Sequence, residues 1–542
     1  MFIAMGQMSS DLGDFRSNSK KMVAMAEQAR DKGCQLIVFP ELSLLGYHPF
    51  DLLERPEVWP AQQSILRELL QELPKDIHCL IGALIKSDKS GKTYFDSALL
   101  VYQGRILKTF HKELLPSYDV FDDARHFESG SMVENTFVIQ DTKIQILICE
   151  DMWGWDDVYK SNPILNIKPG SQDLVINMSA SPFHAGKLQR RMVLAQKTCR
   201  YLGAPLIYVN LVGGQDELIF DGQSFFMDRL GQVIKQAPAF TESLTILNTE
   251  NTNSKADLQP QPHPIQEIRP ALVLGLKDFF RKNRMVKAHL GLSGGIDSAV
   301  VLCLLAEALG PENVTAIGMP TRFNESKSLT LAQEMTKLVG SPFHTLEIDA
   351  LYTLTLQCYE STFGKKQFSV MHENMQSRLR GLLLMAFAND NKSLLVSTSN
   401  KSEMAMGYST LYGDMCGAIA PLGDLLKEEI YALAEKYNQD HGWIPQEIIT
   451  RPPSAELREN QKDSDSLPDY AELDRAVDNL IRHQNLAKTD VEKHVINQVY
   501  QTEFKRWQAP PILKVSSHAF GRGRRLPISV QSFELLSGVP TA

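Results

Sequence analysis

Cysteine is scarce in this chain. Seven occur in 542 residues, at Cys34, Cys79, Cys149, Cys199, Cys303, Cys358 and Cys416, and none forms a CxxC pair. The odd number and wide scatter argue against a disulfide framework or a thiolate zinc site and fit a reducing, cytoplasmic setting. Excess positive charge is also missing. Lys and Arg total 56 against 64 Asp and Glu, giving a formal charge of −8 and a pI of about 6.0. Nucleic acid and anionic membranes therefore have no electrostatic claim on it. The densest basic stretch, Arg522–Arg525, reads as a solvated loop, with a phosphate or subunit contact as the lesser reading. No apolar run reaches bilayer-spanning length. The opening MFIAMGQMSSDLGDF lacks a basic n-region and a cleavable apolar stretch, so no signal peptide is expected. No repeat recurs at solenoid period.

What is present is an average globular composition, 43% apolar and 22% charged. The length exceeds one core; at about 150 residues per domain it suggests three to four units, or two large ones. Strand-like runs at Phe2–Gln7, Cys34–Phe39, Cys79–Ile85, Ile144–Cys149, Leu174–Asn177 and Leu206–Asn210 are interleaved with helical periods such as Arg16–Lys32 and Gly186–Leu202. This predicts a layered α/β domain over 1–246. Leu247–Glu267 is polar, holds three prolines and has no period, so it reads as a linker. Beyond it, 268–542 alternates again: helix at Ala271–Asn283, strand at Val286–Leu292, helix at Ser298–Leu309, strand at Val314–Met319, helix at Ser326–Leu338 and strand at Phe343–Glu347. That alternation predicts a doubly wound parallel sheet. Arg451–Asp469, rich in Pro, Ser, Asp and Glu, reads as a loop and a candidate lid.

Three short pieces of the first domain each carry a reactive side chain beside a predicted strand: Phe39-Pro40-Glu41-Leu42-Ser43, His111-Lys112-Glu113-Leu114-Leu115-Pro116 and Ile148-Cys149-Glu150-Asp151-Met152-Trp153. Amide hydrolysis through a thioester needs a nucleophile, a base for its proton and a cation or donor for the oxyanion. Cys149, Glu41 and Lys112 match those roles, and a nearby lysine would favour the thiolate. Glu150 suits the base role less, because neighbours on an extended segment face opposite ways. Each residue alone has a plain structural reading, and spacing does not bring the three together. The pieces, however, resemble the nitrilase or carbon–nitrogen hydrolase superfamily over roughly Met1 to Phe240. That resemblance implies a Glu41–Lys112–Cys149 triad. Asn177–Phe183 is similar to the stretch where glutaminase members hold the amino-acid end of the substrate, which implies glutamine contacts from Tyr118, Ser181 and Lys187. The chain departs from the family at Phe121-Asp122-Asp123, where the family often has a second glutamate; Asp123 would serve with one methylene fewer.

In the second domain, Gly291-Leu292-Ser293-Gly294-Gly295-Ile296-Asp297-Ser298 lies between a predicted strand and a predicted helix. Glycines let backbone N–H groups approach phosphate oxygens, and a helix N-terminus favours negative charge. Asp297 offers a hard oxygen ligand for Mg²⁺. The GK[ST] ending of a Walker A loop is absent. The SGGxDS string resembles the PP-loop of ATP pyrophosphatases. With Glu373–Arg380, Ser397–Glu403 and Gly407–Asp414, the region Ile268–Pro527 is similar to the NAD⁺ synthetase domain family. The resemblance implies that Thr398, Lys427 and Ser454 join the loop in binding ATP as co-substrate. It implies that Asn374, Glu403 and Lys505 contact deamido-NAD⁺, and that Glu403 shares a metal ion with Asp297.

Together the resemblances imply an enzyme that takes ammonia from L-glutamine and uses ATP to amidate deamido-NAD⁺, working as at least a dimer through the synthetase domain. Ammonia in neutral water is mostly ammonium, so a sheltered route between the two sites is also expected. Other readings stay open: a different PP-loop amidotransferase, against which the Glu41/Lys112/Cys149 set argues; a tRNA-modifying PP-loop protein, disfavoured by the acidic balance; and a non-catalytic nucleotide sensor.

Overall fold

A computed structural model describes residues 1–529 apart from 89, 157, 251–263 and 460. The chain divides into two compact units, Met1–Pro264 and Ile265–Ala542. Among the described residues no helix is long and apolar enough to cross a membrane, and all seven cysteines are free.

The first unit holds the strands β1 (Phe2–Gln7), β2 (Leu36–Val38), β3 (His78–Lys86), β4 (Tyr94–Tyr102), β5 (Arg105–His111), β6 (Thr136–Ile139), β7 (Thr142–Ile148), β8 (Leu174–Ser179), β9 (Leu206–Asn210), β10 (Val212–Gln215), β11 (Leu218–Asp221), β12 (Phe225–Met227), β13 (Val233–Gln236) and β14 (Ser243–Asn248). Its helices are α1 (Phe15–Asp31), α2 (Val58–Glu72), the single turn α3 (Asp123–His126) and α4 (Lys187–Leu202). Two six-stranded sheets form, in the orders β14-β1-β2-β3-β4-β5 and β13-β12-β9-β8-β7-β6. Each has a parallel centre, β1–β2–β3 in one and β7–β8–β9 in the other, with antiparallel strands outside.

Strand period explains the layering. Ile3 and Met5 of β1 pack with Ile144, Ile146 and Ile176 of the second sheet, so the sheets meet face to face. Ala4, one residue out of phase, packs with Met22 and Ala26 of α1. On the far side Val175 packs with Leu188 and Leu194 of α4. The result is a helix–sheet–sheet–helix sandwich.

The second unit contains β15 (Lys287–Gly291), β16 (Val314–Gly318), β17 (Phe343–Thr345) and β18 (Ser393–Leu395). These make one parallel sheet in the order β17-β16-β15-β18. Its helices are α5 (Pro264–Lys282), α6 (Ile296–Leu309), α7 (Ser326–Val339), α8 (Asp349–Phe363), α9 (Val370–Asn391), α10 (Lys401–Met406), α11 (Lys427–His441), α12 (Gln446–Thr450), α13 (Tyr470–Val477), α14 (Asp490–Gln501) and α15 (Glu503–Arg506). The chain steps outward from β15 to β17, then returns to the other side of β15 as β18. That reversal opens a crevice at the carboxyl ends of β15 and β18, where ligands of doubly wound sheets bind.

The stretch read as a linker needs redrawing at its edges. Leu247 and Asn248 are the end of β14, and 264–267 belong to α5, while 251–263 lie outside the described residues.

Candidate active sites

In the first unit the ends of strands from both sheets bring Glu41, Lys112 and Cys149 together. Glu41 lies three residues beyond β2, Lys112 directly follows β5 and Cys149 directly follows β7. All three side chains are buried. Lys112 Nζ donates to Glu41 Oε1 at 2.5 Å and to Asp123 Oδ2 at 2.7 Å. The Ala180 N–H, just past β8, donates to Glu41 Oε2 at 2.7 Å. The Cys149 thiol feels the Glu41 carboxylate directly, and Glu41 raises it. Burial opposes charge on Lys112, but Asp123 and then Glu41 outweigh it and raise its pKa well above the ordinary value.

Cys149 behaves differently from the sequence expectation. Burial, and then Glu41, push its thiol well above the ordinary value, and the opposing pull of Lys112 does not prevail. The resting group is a thiol, so its proton must leave during attack. The backbone at Cys149 has φ 44° and opens a 3₁₀ turn, Cys149–Trp155, which turns the side chain sharply out of β7. Asp151 fastens that turn to the lysine segment. Its carboxylate accepts from the N–H groups of Glu113 at 3.0 Å, Leu114 at 2.9 Å and Ile148 at 2.9 Å.

The shortened Asp123 still reaches Lys112. Its other oxygen accepts from Tyr47 OH at 3.1 Å and faces His48 Nε2 at 3.1 Å. The Phe50 N–H donates to His48 Nδ1, which leaves the ring proton on Nε2, toward the carboxylate. Burial alone would raise Asp123; Lys112 and His48 win and hold it below the ordinary carboxylate range.

The residues implied for glutamine lie around this centre. Tyr118 OH and Tyr159 OH each donate to Glu150 Oε1 at 2.7 Å. Lys187 Nζ stands 4.3 Å from the centre of the Trp153 ring. Ser181 Oγ accepts from Arg191 Nε at 3.1 Å, and its N–H donates to Asn210 Oδ1.

In the second unit a cavity of about 300 Å³ occupies the crevice. Gly291, Leu292, Ser293, Gly295, Ile296, Asp297, Ser298, Thr398, Glu403, Lys427 and Ser454 line it. Gly294 faces an adjoining cleft with Arg451 and Glu456. Gly294 has φ 82°, and a Cβ there would come within 2.4 Å of the Ser328 carbonyl, so only glycine fits. Gly295 caps α6 without a side chain, leaving the first N–H groups of a 14-residue helix directed at the loop. Lys427 Nζ donates to Asp297 Oδ2 at 2.6 Å and lies 3.7 Å from Glu403 Oε1. Burial, and then Asp297, raise Glu403 to about 8.

Asn374 and Lys505 do not line this cavity. Asn374 Oδ1 accepts from Thr410 Oγ1 at 2.8 Å, and Thr410 is a cavity residue. Lys505 Nζ donates to the carbonyls of Gly407 and Ser409, each at 2.7 Å. The Ser454 hydroxyl donates to the Gln461 carbonyl within its own loop.

Comparison with known proteins bears on both units. The family model for carbon–nitrogen hydrolases matches residues 2–251, and that for NAD synthases matches residues 268–509. The glutamine-dependent NAD(+) synthetase of Synechocystis sp. is 40% identical across 97% of this chain and 98% of its own length. The chain belongs to the glutamine-dependent NAD(+) synthetase family. The synthetase of Acinetobacter baylyi is 38% identical with the same coverage. Among solved structures of such synthetases, that from Acinetobacter baumannii, in complex with ADP, is 34% identical with a TM-score of 0.77 and covers 97% of this chain and 98% of its own. One from Cytophaga hutchinsonii, at 20% identity, has a TM-score of 0.84 over 99% of both chains and supports the fold.

Against that background, sequence reasoning missed Asp96, Tyr47, His48, Asp151 and Tyr159. Asp151 sat in a quoted motif, but nothing in the text marked its three backbone partners. Asp96 is the one charged residue inside the mostly apolar strand Tyr-Phe-Asp-Ser-Ala-Leu-Leu, and that was the available signal.

Proposed function

We propose that the chain amidates deamido-NAD⁺ to NAD⁺ with ATP, drawing ammonia from L-glutamine and releasing L-glutamate, AMP and pyrophosphate. The observation that carries this reading is the ion pair joining Lys112 to Glu41 across 71 residues, with both groups acting on the buried Cys149 thiol. In the first unit Glu41 takes the thiol proton as sulfur attacks the carboxamide. Lys112 keeps Glu41 in place and sets a positive charge near the oxyanion. The proton returns to the departing ammonia, and water releases glutamate from the thioester. Glu150 and Lys187 offer opposite charges suited to the α-ammonium and α-carboxylate of glutamine, with Tyr118 and Ser181 beside them.

In the second unit the loop Gly291–Ser298 and the α6 N-terminus cradle the phosphates, with Thr398, Lys427 and Ser454 around the nucleotide. Asn374, Glu403 and Lys505 serve the deamido-NAD⁺ side, with Asn374 and Lys505 acting through the loop 407–410 that they brace. Asp297 and Glu403 fit a divalent cation: both are oxygen donors, and one ammonium already lies within 3.7 Å of each. Bound there, Mg²⁺ would offset the charge of the triphosphate. The nicotinate carboxylate attacks the α-phosphorus, pyrophosphate leaves, and ammonia displaces AMP from the adenylylated acid.

We place the protein in the cytoplasm, and in at least a dimer. Val370 of α9, 64% exposed, Leu382, 62%, and Leu354 of α8, 58%, give the synthetase unit apolar surface for a second copy. The test of function supplies glutamine, ATP, Mg²⁺ and deamido-NAD⁺ and separates the nucleotides. NAD⁺ and AMP should accumulate together; ADP in place of AMP would remove the pyrophosphatase reading.

A further inference from the structure

Three carboxylates surround one ammonium in the first unit. Glu41 and Asp123 accept from Lys112 Nζ at 2.5 and 2.7 Å, while Asp96 Oδ2 stands 3.5 Å away. Strand register sets this approach. Ser97 of β4 pairs with His111 of β5, which puts Asp96 beside Lys112, and the Lys112 N–H donates to the Asp96 carbonyl. Oxygens of the three carboxylates lie within 4.8 Å of one another. Such a group could hold a cation, but here it encloses the lysine.

Asp96 stands apart from the other two. It is 1% exposed, yet neither of its carboxylate oxygens has a hydrogen-bond partner. Glu41 accepts from Lys112 and the Ala180 N–H, and Asp123 accepts from Lys112 and Tyr47, with His48 Nε2 3.1 Å away. Like charges this close and this dry do not all ionise, and a single ammonium does not neutralise three. The proton settles on the carboxylate with least support.

We propose that Asp96 is a positioning residue that stays protonated and gives a hydrogen bond to Glu41, so that Glu41 remains the ionised base facing Cys149. This rests on the glutaminase reading of the site. Burial, and then Glu41, push Asp96 well above the ordinary carboxylate range, in the same direction. With Asp96 neutral, the cluster of Glu41, Asp123 and Lys112 carries a net charge of minus one. An ionised Asp96 would add a second negative charge to the cluster and oppose thiolate formation. The charged groups facing it are Glu41, Lys112 and Asp123, with Tyr47 and His48 on the far oxygen of Asp123.

The test compares Asp96→Asn with Asp96→Leu in the full chain, measuring glutamate release across pH and, separately, NAD⁺ formation from ammonium chloride. Asparagine copies a neutral aspartic acid and still donates to Glu41. Asp96→Asn should keep glutaminase kcat within about threefold and hold activity at least as far into alkaline pH as the unaltered enzyme. Asp96→Leu should lose about thirtyfold in kcat with little change in KM for glutamine. Ammonium-driven synthesis, unchanged in both, reports an intact chain. If Asp96→Asn falls as far as Asp96→Leu, an ionised carboxylate is needed and the proposal is overturned; it is equally overturned if Asp96→Leu matches the unaltered enzyme. An unaltered enzyme that releases no glutamate would sink the glutaminase reading itself, not the protonation state of Asp96. Should leucine prevent folding, the asparagine arm alone decides.

Discussion

Cys149 carries two costs at once: a left-handed backbone, on the order of 1 kcal/mol for a residue with a side chain, and a buried thiol. The raised thiol has a measurable consequence. An acid whose pKa is raised stays protonated through neutral pH and ionises only as pH climbs through the raised value. Iodoacetamide alkylation of Cys149, followed by mass spectrometry, should therefore accelerate continuously into alkaline solution. A plateau reached near neutral pH would mean a preformed thiolate and would contradict the general-base role of Glu41. At this scale legibility was uneven. Glu41, Lys112 and Cys149 were visible through a family resemblance, and Asp123 stood out as a departure from it. Its partners Tyr47 and His48 were hidden, because a contact across 76 residues leaves no mark in local text.

Secondary-structure elements make their own demands. Gly294→Ala would force a Cβ into the Ser328 carbonyl at a φ that L-residues avoid. Ammonium-driven NAD⁺ formation should fall at least about tenfold, with glutamate release at saturating glutamine retained; an active alanine variant would show that the loop is not held as described. Elsewhere, Asp424 accepts from Lys401 Nζ at 2.7 Å and from the N–H groups of Val515 and Ser516, clasping the segment after α15. Asp424→Ala would strand a buried ammonium. The cost should be about 3 to 5 kcal/mol, read as a lower urea midpoint; a shift under about 1 kcal/mol would mean the clasp is dispensable. Periodicity located β1, β8 and β9 and the helices α1, α4 and α7 well, because buried parallel strands and amphipathic helices write strong patterns. It failed where composition misled. Pro264 begins α5, so the last four residues of the stretch read as linker, 264–267, are helix, and Pro270 lies inside that helix. The edge strand β5, exposed over Arg105–Lys108, lacked the apolar run that marked its neighbours.

Over the whole molecule, two units with separate cores carry two chemistries: a thiol site at the strand ends of a sandwich, and a glycine loop at the switch point of a parallel sheet. The layering followed from pattern alone. The pairing of chemistries did not, since no spacing argument links a cysteine in one unit to a phosphate loop in the other; that link came from resemblance to known families. Ammonia is the shared currency of the two reactions, so Cys149→Ala divides them. The decisive measurement is NAD⁺ formation by this variant with glutamine or with ammonium chloride as nitrogen source. Glutamine-supported synthesis should drop at least about a thousandfold and ammonium-supported synthesis should stay within about twofold of the unaltered enzyme. Retained use of glutamine, or loss of both activities in a folded chain, would contradict the division.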